Sequence, residues 1–264
     1  MRVPSSYLFV PAVRIDRVDK ALSGSSHAVI VDLEDGVSND MKQQARDKLE
    51  TWSSNRRYLL RINPVDSEFC NEDLDRLTSL RNLEGVVLAK VVDVQQIEYV
   101  QPFIPPGLPL IALIESALGL IAAPQIARAG VKRLFFGSAD YLESVGATIG
   151  QEVLNYPRSC LVVASAAAGL DAPIDGPSLE LKDLDVVDLD AKSARALGMG
   201  GKLCIHPLQV ETINSVFYPT PDEINWAESV VRAWEASTSA VFQLDGKLID
   251  APIIRQAQRI IGLL

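Results

Sequence analysis

Two acidic residues stand where acids are costly. Glu115 closes the apolar run Leu110-Ile111-Ala112-Leu113-Ile114, and Asp140 follows Arg133-Leu134-Phe135-Phe136 after a short link. A carboxylate at the end of such a strand needs a counter-charge or a metal, because burying it alone costs several kcal/mol. Two readings fit. In one, the pair and a set of waters hold Mg²⁺, a hard cation that takes oxygen ligands and keeps part of its hydration. In the other, Glu115 pairs with Lys90 or Arg61, and Asp140 caps a helix over 141–145. The run Asp32-Leu33-Glu34-Asp35 is followed by Gly36, a residue that permits turns others resist. Its acids either orient waters around a bound cation or form a solvated turn before a helix cap at Asn39 or Asp40. Arg61, flanked by Leu60 and Ile62, has the geometry to clamp a carboxylate through two parallel hydrogen bonds or to stabilise an enolate oxygen. Neutralising Glu34 or Glu115 is compatible with either task. Lys90, near several carboxylates, is expected in an ion pair rather than in Schiff-base chemistry. Of the two histidines, His27 opens a strand, and His206 ends one, where it either meets ligand or makes a structural hydrogen bond.

These residues need a scaffold that brings strand ends together. Eight β-rich runs alternate with helical patterns: Tyr7 to Val10, Ala28 to Asp32, Tyr58 to Ile62, Gly85 to Leu88, Leu110 to Ile114, Arg133 to Phe136, Ala172 to Ile174 and Lys202 to Ile205. Helices are expected over 14–22, 41–52, 74–80, 94–100, 124–129, 158–168 and 192–197. Runs such as Val29-Ile30-Val31 do not alternate, which marks strands covered on both faces. Eight such units close into a (β/α)8 TIM barrel of about 250 residues, whereas an open sheet of that width leaves two edges to protect. The polar residues fall where one strand after another ends, and in a barrel those ends share one mouth. The expected barrel is residues 1–239, with 222–237 as its last helix. Residues 240–264 then read as a hairpin turning at Asp245-Gly246 and an amphipathic helix that needs a partner surface, either the barrel or a neighbouring subunit.

Composition narrows the function. With 25 basic and 34 acidic residues the net charge is −9, which disfavours general nucleic-acid binding but not a small anion held by arginines. The 48% hydrophobic and 22% charged content is that of an ordinary globular protein. Three scattered cysteines without a Cys-x-x-Cys pair fit a reducing, cytoplasmic setting. No apolar run is long enough to span a bilayer and no secretory signal opens the chain, so a mature, soluble protein is expected. Signatures of dinucleotide binding, the P-loop, zinc proteases and serine hydrolases are absent.

The ordered motifs also resemble the citrate lyase beta subunit-like branch of the HpcH/HpaI aldolase/citrate lyase family. The similarity runs through Tyr7-Leu8-Phe9-Val10-Pro11 with Arg14, Asp16 and Arg17, then Val31-Asp32-Leu33-Glu34-Asp35-Gly36, Arg61-Ile62-Asn63 and Ala89-Lys90-Val91. It continues through Ile114-Glu115-Ser116-Ala117, Phe136-Gly137-Ser138-Ala139-Asp140, Pro173-Ile174-Asp175-Gly176-Pro177 and Cys204-Ile205-His206-Pro207. Near the end, Asp245-Gly246-Lys247-Leu248-Ile249-Asp250-Ala251-Pro252 fits as well. Ala12, Ala89, Ser116 and Leu118 depart from the residues usual at their positions.

What the resemblance implies is a barrel assembled as a trimer or hexamer, with Mg²⁺ as cofactor, that breaks or makes a carbon–carbon bond next to a thioester. By motif position Glu115 and Asp140 would be metal ligands, and Arg61 and Glu115 would meet the substrate. Glu34 and Asp35 would support the metal's waters, and Asp250, supplied by a neighbouring subunit, would act as acid or base. The implied substrates are an acyl-CoA or acyl-carrier thioester and a 2-oxo acid such as oxaloacetate or glyoxylate. Rival readings are an aldolase acting on free 2-oxo-acid aldols and a non-catalytic binding protein with the same barrel.

Overall fold

A computed structural model describes residues 4–52, 55–148, 150–237 and 239–262. They divide into two compact units, Pro4–Phe217 and a smaller one beginning at Tyr218.

In the first unit the strands β1 (Ser6–Pro11), β2 (Ala28–Asp32), β3 (Tyr58–Ile62), β4 (Leu83–Leu88), β5 (Leu110–Ile114), β6 (Arg133–Phe136), β7 (Ile174–Asp175) and β8 (Gly201–Cys204) form a closed parallel barrel in sequence order. β1 closes on β8 with Tyr7 opposite Leu203. The expected (β/α)8 barrel is the fold, and β2, β3, β5 and β6 have the expected bounds. Alternate side chains turn inward, so Tyr7, Ile30, Leu59, Val87, Ile111, Phe135 and Leu203 fill the barrel while their neighbours pack under the helices. Tyr7 and Phe135 meet edge to face at 4.9 Å. β7 is two residues long and starts after the expected Ala172, beyond Pro173, which has no N–H to donate to a ladder.

The helices differ more from expectation. The segment expected over 124–129 is Ala117–Ile126, because the Ser116 hydroxyl caps it by accepting the Gly119 N–H at 3.1 Å, and Pro124 lies inside rather than at its start. Helices expected at 74–80, 158–168 and 192–197 run over Cys70–Arg76, Gln151–Ala167 and Leu184–Ala196. Helix Leu208–Phe217 was not anticipated; it follows β8 and packs on β8 and β1, which makes it the last helix of the barrel.

Helix Pro221–Ala236, expected in that place, belongs to the second unit. The division thus falls between Phe217 and Tyr218 rather than at 239/240. Its start is a capping box, with Thr220 and Glu223 each accepting the other's backbone N–H. The hairpin pairs Phe242–Leu244 with Lys247–Ile249 through Asp245 and Gly246, both at positive φ as a tight two-residue turn requires. Ala227, Val230, Ile249, Ile254 and Ala257 make a separate small core that joins this helix, the hairpin and helix Ala251–Gly262. Among the described residues no helix is long and apolar enough to cross a membrane.

Candidate active site

The acidic run after β2 folds on its own first residue. Asp32 accepts the Glu34 N–H on Oδ1 and the Gly36 N–H on Oδ2, both at 2.9 Å. A Cβ on Gly36 would come within 2.5 Å of Asp32 Oδ2, so the turn closes only with glycine there. From below, buried Lys42 donates to the carbonyls of Leu33 and Glu34 and to Asn63 Oδ1, at 2.8, 2.9 and 2.7 Å. Burial lowers the Lys42 ammonium from its usual pKa while the nearby acids pull it back up.

Asp32 and Arg61 occupy paired positions on β2 and β3, and their side chains form a fork: Nε and Nη2 donate to the two carboxylate oxygens, each at 2.7 Å. Arg61 Nη1 reaches Glu34 Oε2 at 2.9 Å, and the guanidinium lies 4.6 Å from the Phe9 ring centre. Burial works against the Arg61 charge, but the Asp32 and Glu34 carboxylates outweigh it and hold its pKa above the ordinary value. Two of the five guanidinium N–H groups donate to Asp32 and Nη1 is in ion-pair range of Glu34, which leaves N–H groups for another oxyanion.

Lys90 stands just past β4 at φ 53°, a left-handed conformation uncommon for a side-chain-bearing residue. That twist turns its backbone N–H to Glu115 Oε1 at 2.6 Å while its ammonium reaches Glu34 at 2.6 Å, Asp35 at 3.1 Å and Asp140 at 3.8 Å. The ion-pair expectation for Lys90 therefore holds. Glu115 meets the Lys90 backbone rather than its ammonium, and the ion pairs of Arg61 go to Asp32 and Glu34. Burial opposes the charge on Lys90, yet its contacts with Glu34 and Asp35 keep its pKa above normal.

Glu115 is 5% exposed. Burial lifts its pKa to about 8, against the pull of Arg61 and with a further push from Asp140 and Glu34. Asp140 lies in the first turn of helix Ser138–Ser144, not at the cap of a helix over 141–145, and burial and Asp35 raise its pKa too. Burial likewise raises Glu34, although Arg61 and Lys90 oppose it. Gly137 makes room for Glu115, since a Cβ there would come within 2.5 Å of the Glu115 Cβ and Oε2. Both carboxyls are raised, Glu115 by burial and by Asp140, Asp140 by burial and by Asp35; a dication would relieve that penalty, and their hard oxygens suit Mg²⁺. Among the described residues no three His, Cys, Asp or Glu side chains converge as a complete ligand set, so waters or substrate oxygens would have to complete the shell.

Phe9, Asp32, Asp35, Arg61, Glu115 and Asp140 line one cavity of about 340 Å³ at the carboxyl ends of the strands. Arg17, Lys20 and His206 line a neighbouring groove of about 580 Å³ that shares Phe9, Pro11 and Ile205 as walls. Of the strand-end polar residues, Glu34, Asn63, Lys90, Asp175 and His206 do not line the cavity. Asn63 is tied to Lys42 and Asp73, and Asp175 is buried against Arg158 and Lys202. Asp250 lies in the second unit, where its Oδ1 accepts the Ile253 N–H at 3.4 Å at the start of the last helix. The sequence reading did not assign Asp32 the arginine clamp, nor did it give Phe9, Lys42 or Gly137 a role; the signal for Asp32 was its place level with Arg61 on the next strand.

The HpcH/HpaI aldolase/citrate lyase family model matches residues 5–207. The chain belongs to this family. Among its relatives, the mitochondrial citramalyl-CoA lyase of Rattus norvegicus is 29% identical over 97% of this chain and 84% of its own length. The (3S)-malyl-CoA thioesterase of Cereibacter sphaeroides is 30% identical, covering 93% of this chain and 89% of the relative. The crystal structure of CitE from Mycobacterium tuberculosis in complex with magnesium, acetoacetate and coenzyme A superposes with a TM-score of 0.88 at 27% identity, over 100% of this chain and 99% of that one. Glu115, Asp140 and Arg61 of this family member all lie within the matched residues.

Proposed function

We propose that this protein is a Mg²⁺-dependent carbon–carbon lyase. Its substrate is a 3-hydroxy-3-carboxyacyl thioester of the citryl-CoA, malyl-CoA or citramalyl-CoA type, and its products are acetyl-CoA and a 2-oxo acid such as oxaloacetate or glyoxylate. The observation that carries the reading is the meeting of Glu115, Asp140 and Arg61 on one cavity at the barrel mouth. Relatives named as acyl-CoA lyases, and CitE crystallised with magnesium and coenzyme A, support it.

Glu115 and Asp140 would hold the cation, with Glu34 and Asp35 supporting its waters. When bound, the cation polarises the hydroxyl and carboxylate oxygens of the substrate. The hydroxyl proton passes to a carboxylate, which we assign to Asp250 of a neighbouring copy in a cytoplasmic homo-oligomer, a trimer or hexamer. The carbon–carbon bond then breaks, leaving the 2-oxo acid and the acetyl thioester enolate. The free N–H groups of Arg61 stabilise the enolate oxygen, and Asp250 returns the proton to the enolate carbon. The cations of the groove beside the cavity suit the phosphates of CoA or of an acyl-carrier arm.

The test is Mg²⁺-dependent turnover of the three thioesters by wild type and Glu115→Ala. Acetyl-CoA release that vanishes in the variant and with chelator is the expected result. Release of free CoA with an intact hydroxy acid would indicate thioester hydrolysis instead, and silence with all three beside turnover of free 2-oxo-acid aldols would overturn the thioester reading.

A further inference from the structure

The wall of the cavity that follows β7 and β8 is braced more tightly than packing alone requires. Gln209 has no exposed surface, and its amide is fully used. Nε2 donates to the carbonyls of Ser178 and Glu180 at 2.8 and 2.9 Å, and Oε1 accepts the backbone N–H groups of Ile205 and His206 at 3.0 and 3.2 Å. Two donors and two lone pairs are all such a group has. The segments it joins contribute Pro177 and Ile205 to the lining of the cavity.

Ser178 is held from its other side as well. Its hydroxyl donates to Asp190 at 2.5 Å, and Asp190 receives Arg158 at 2.6 Å and Lys202 at 2.9 Å. Asp175 takes the other arm of the same cage, from Arg158 at 2.9 and 2.8 Å and from Lys202. Residues 175 and 178 are therefore pinned, and Gly176 between them presses on the next layer. A Cβ there would come within 2.2 Å of Ser138 Oγ and 2.8 Å of the Ser138 backbone nitrogen. Ser138 begins the helix that carries Asp140.

We propose that Gln209 and Asp190 are positioning residues: by seating the Gly176–Ser178 segment against Ser138 they set where the Asp140 carboxylate stands. The inference rests on the reading that Asp140 and Glu115 hold the cation. A brace serving the fold alone would cost stability and leave cation affinity unchanged in the folded molecules. A brace that positions Asp140 moves the affinity itself.

The experiment is a Mn²⁺ titration of the full chain by electron paramagnetic resonance, without substrate, beside a thermal melt of each variant. Wild type should take up Mn²⁺, and Asp140→Asn should lose it. Gln209→Leu, and separately Ser178→Ala, should raise the Mn²⁺ dissociation constant tenfold or more while still melting cooperatively. Ser178→Thr, which keeps the hydroxyl, should bind like wild type. Folded Gln209→Leu and Ser178→Ala proteins that bind Mn²⁺ as wild type does would overturn the inference and leave the metal reading standing. Should Gln209→Leu not fold, Ser178→Ala decides alone. Wild type that takes up no Mn²⁺ would overturn both.

Discussion

Replacing Glu115 by glutamine removes a buried acid whose proton is held to about 8 in the fold, against 4.5 as the ordinary value. Between those two pH values the native state binds the proton that the unfolded chain has released, so in the absence of metal stability must fall as pH rises. At about 1.4 kcal/mol per pH unit, the contribution of Glu115 to that fall is roughly 3 kcal/mol by pH 7 and about 5 kcal/mol once the folded group has ionised. Glu34 and Asp140, also raised by burial, slope in the same direction, so the wild-type curve alone does not isolate Glu115. The difference between wild type and Glu115→Gln does. Urea unfolding in chelator at pH 5, 7 and 9 should show the variant gaining on wild type at each step, and saturating Mg²⁺ should restore wild type at pH 9 while doing little for the variant. Curves that stay parallel from pH 5 to 9 would refute the claim that Glu115 is an acid held protonated by its surroundings.

Arg61→Lys keeps a charge but loses the fork on Asp32; turnover should drop roughly 10²- to 10³-fold in steady-state assays, as when one oxyanion donor is removed. Gly137→Ala forces a methyl group into the space of the Glu115 side chain, so it should cost about 1–3 kcal/mol in denaturant unfolding and raise the Mg²⁺ needed for half-maximal activity. Asp190 is held down to about 2 by Lys202 and Arg158, in spite of its burial. Its stabilisation is present above about pH 4 and lost as pH falls toward 2. Asp190→Asn should therefore be less stable at pH 7 by about 3–5 kcal/mol, with two buried cations left short of a partner, and its acid unfolding between pH 4 and 2 should be flatter than that of wild type.

The barrel was legible because most of its strands are continuous apolar runs of the right length, and most end at or near a polar residue that an open sheet would scatter. Glu115, Asp140 and Arg61 stood out for the same reason, as charges at the close of runs that bury everything else. The helices were less legible where local signals compete. Pro124 reads as a helix start, yet Ser116 had already capped the helix a full two turns earlier. Helix Leu208–Phe217 follows His206-Pro207 so closely that it reads as a loop before the stronger pattern of Pro221–Ala236. The Asp32–Arg61 fork joins residues on different strands, and only the barrel register brings them level. The left-handed turn at Lys90 has no sequence mark at all, since glycine or asparagine is the residue expected there.

The ion pairs at the mouth also dictate a timetable. Five acids, Asp32, Glu34, Asp35, Glu115 and Asp140, gather around two cations, Arg61 and Lys90, so each raised acid that ionises adds negative charge against the carboxylate end of the substrate. A dication that binds first offsets that charge and gives the substrate carboxylate a partner, whereas an anion arriving first finds Lys90 engaged and only the remaining N–H groups of Arg61 to meet it. Initial-rate kinetics should accordingly show compulsory order, with cation before thioester, and excess thioester should not rescue a cation-starved reaction. The crowd of acids then works as a turnstile, closed to anions until the metal has passed.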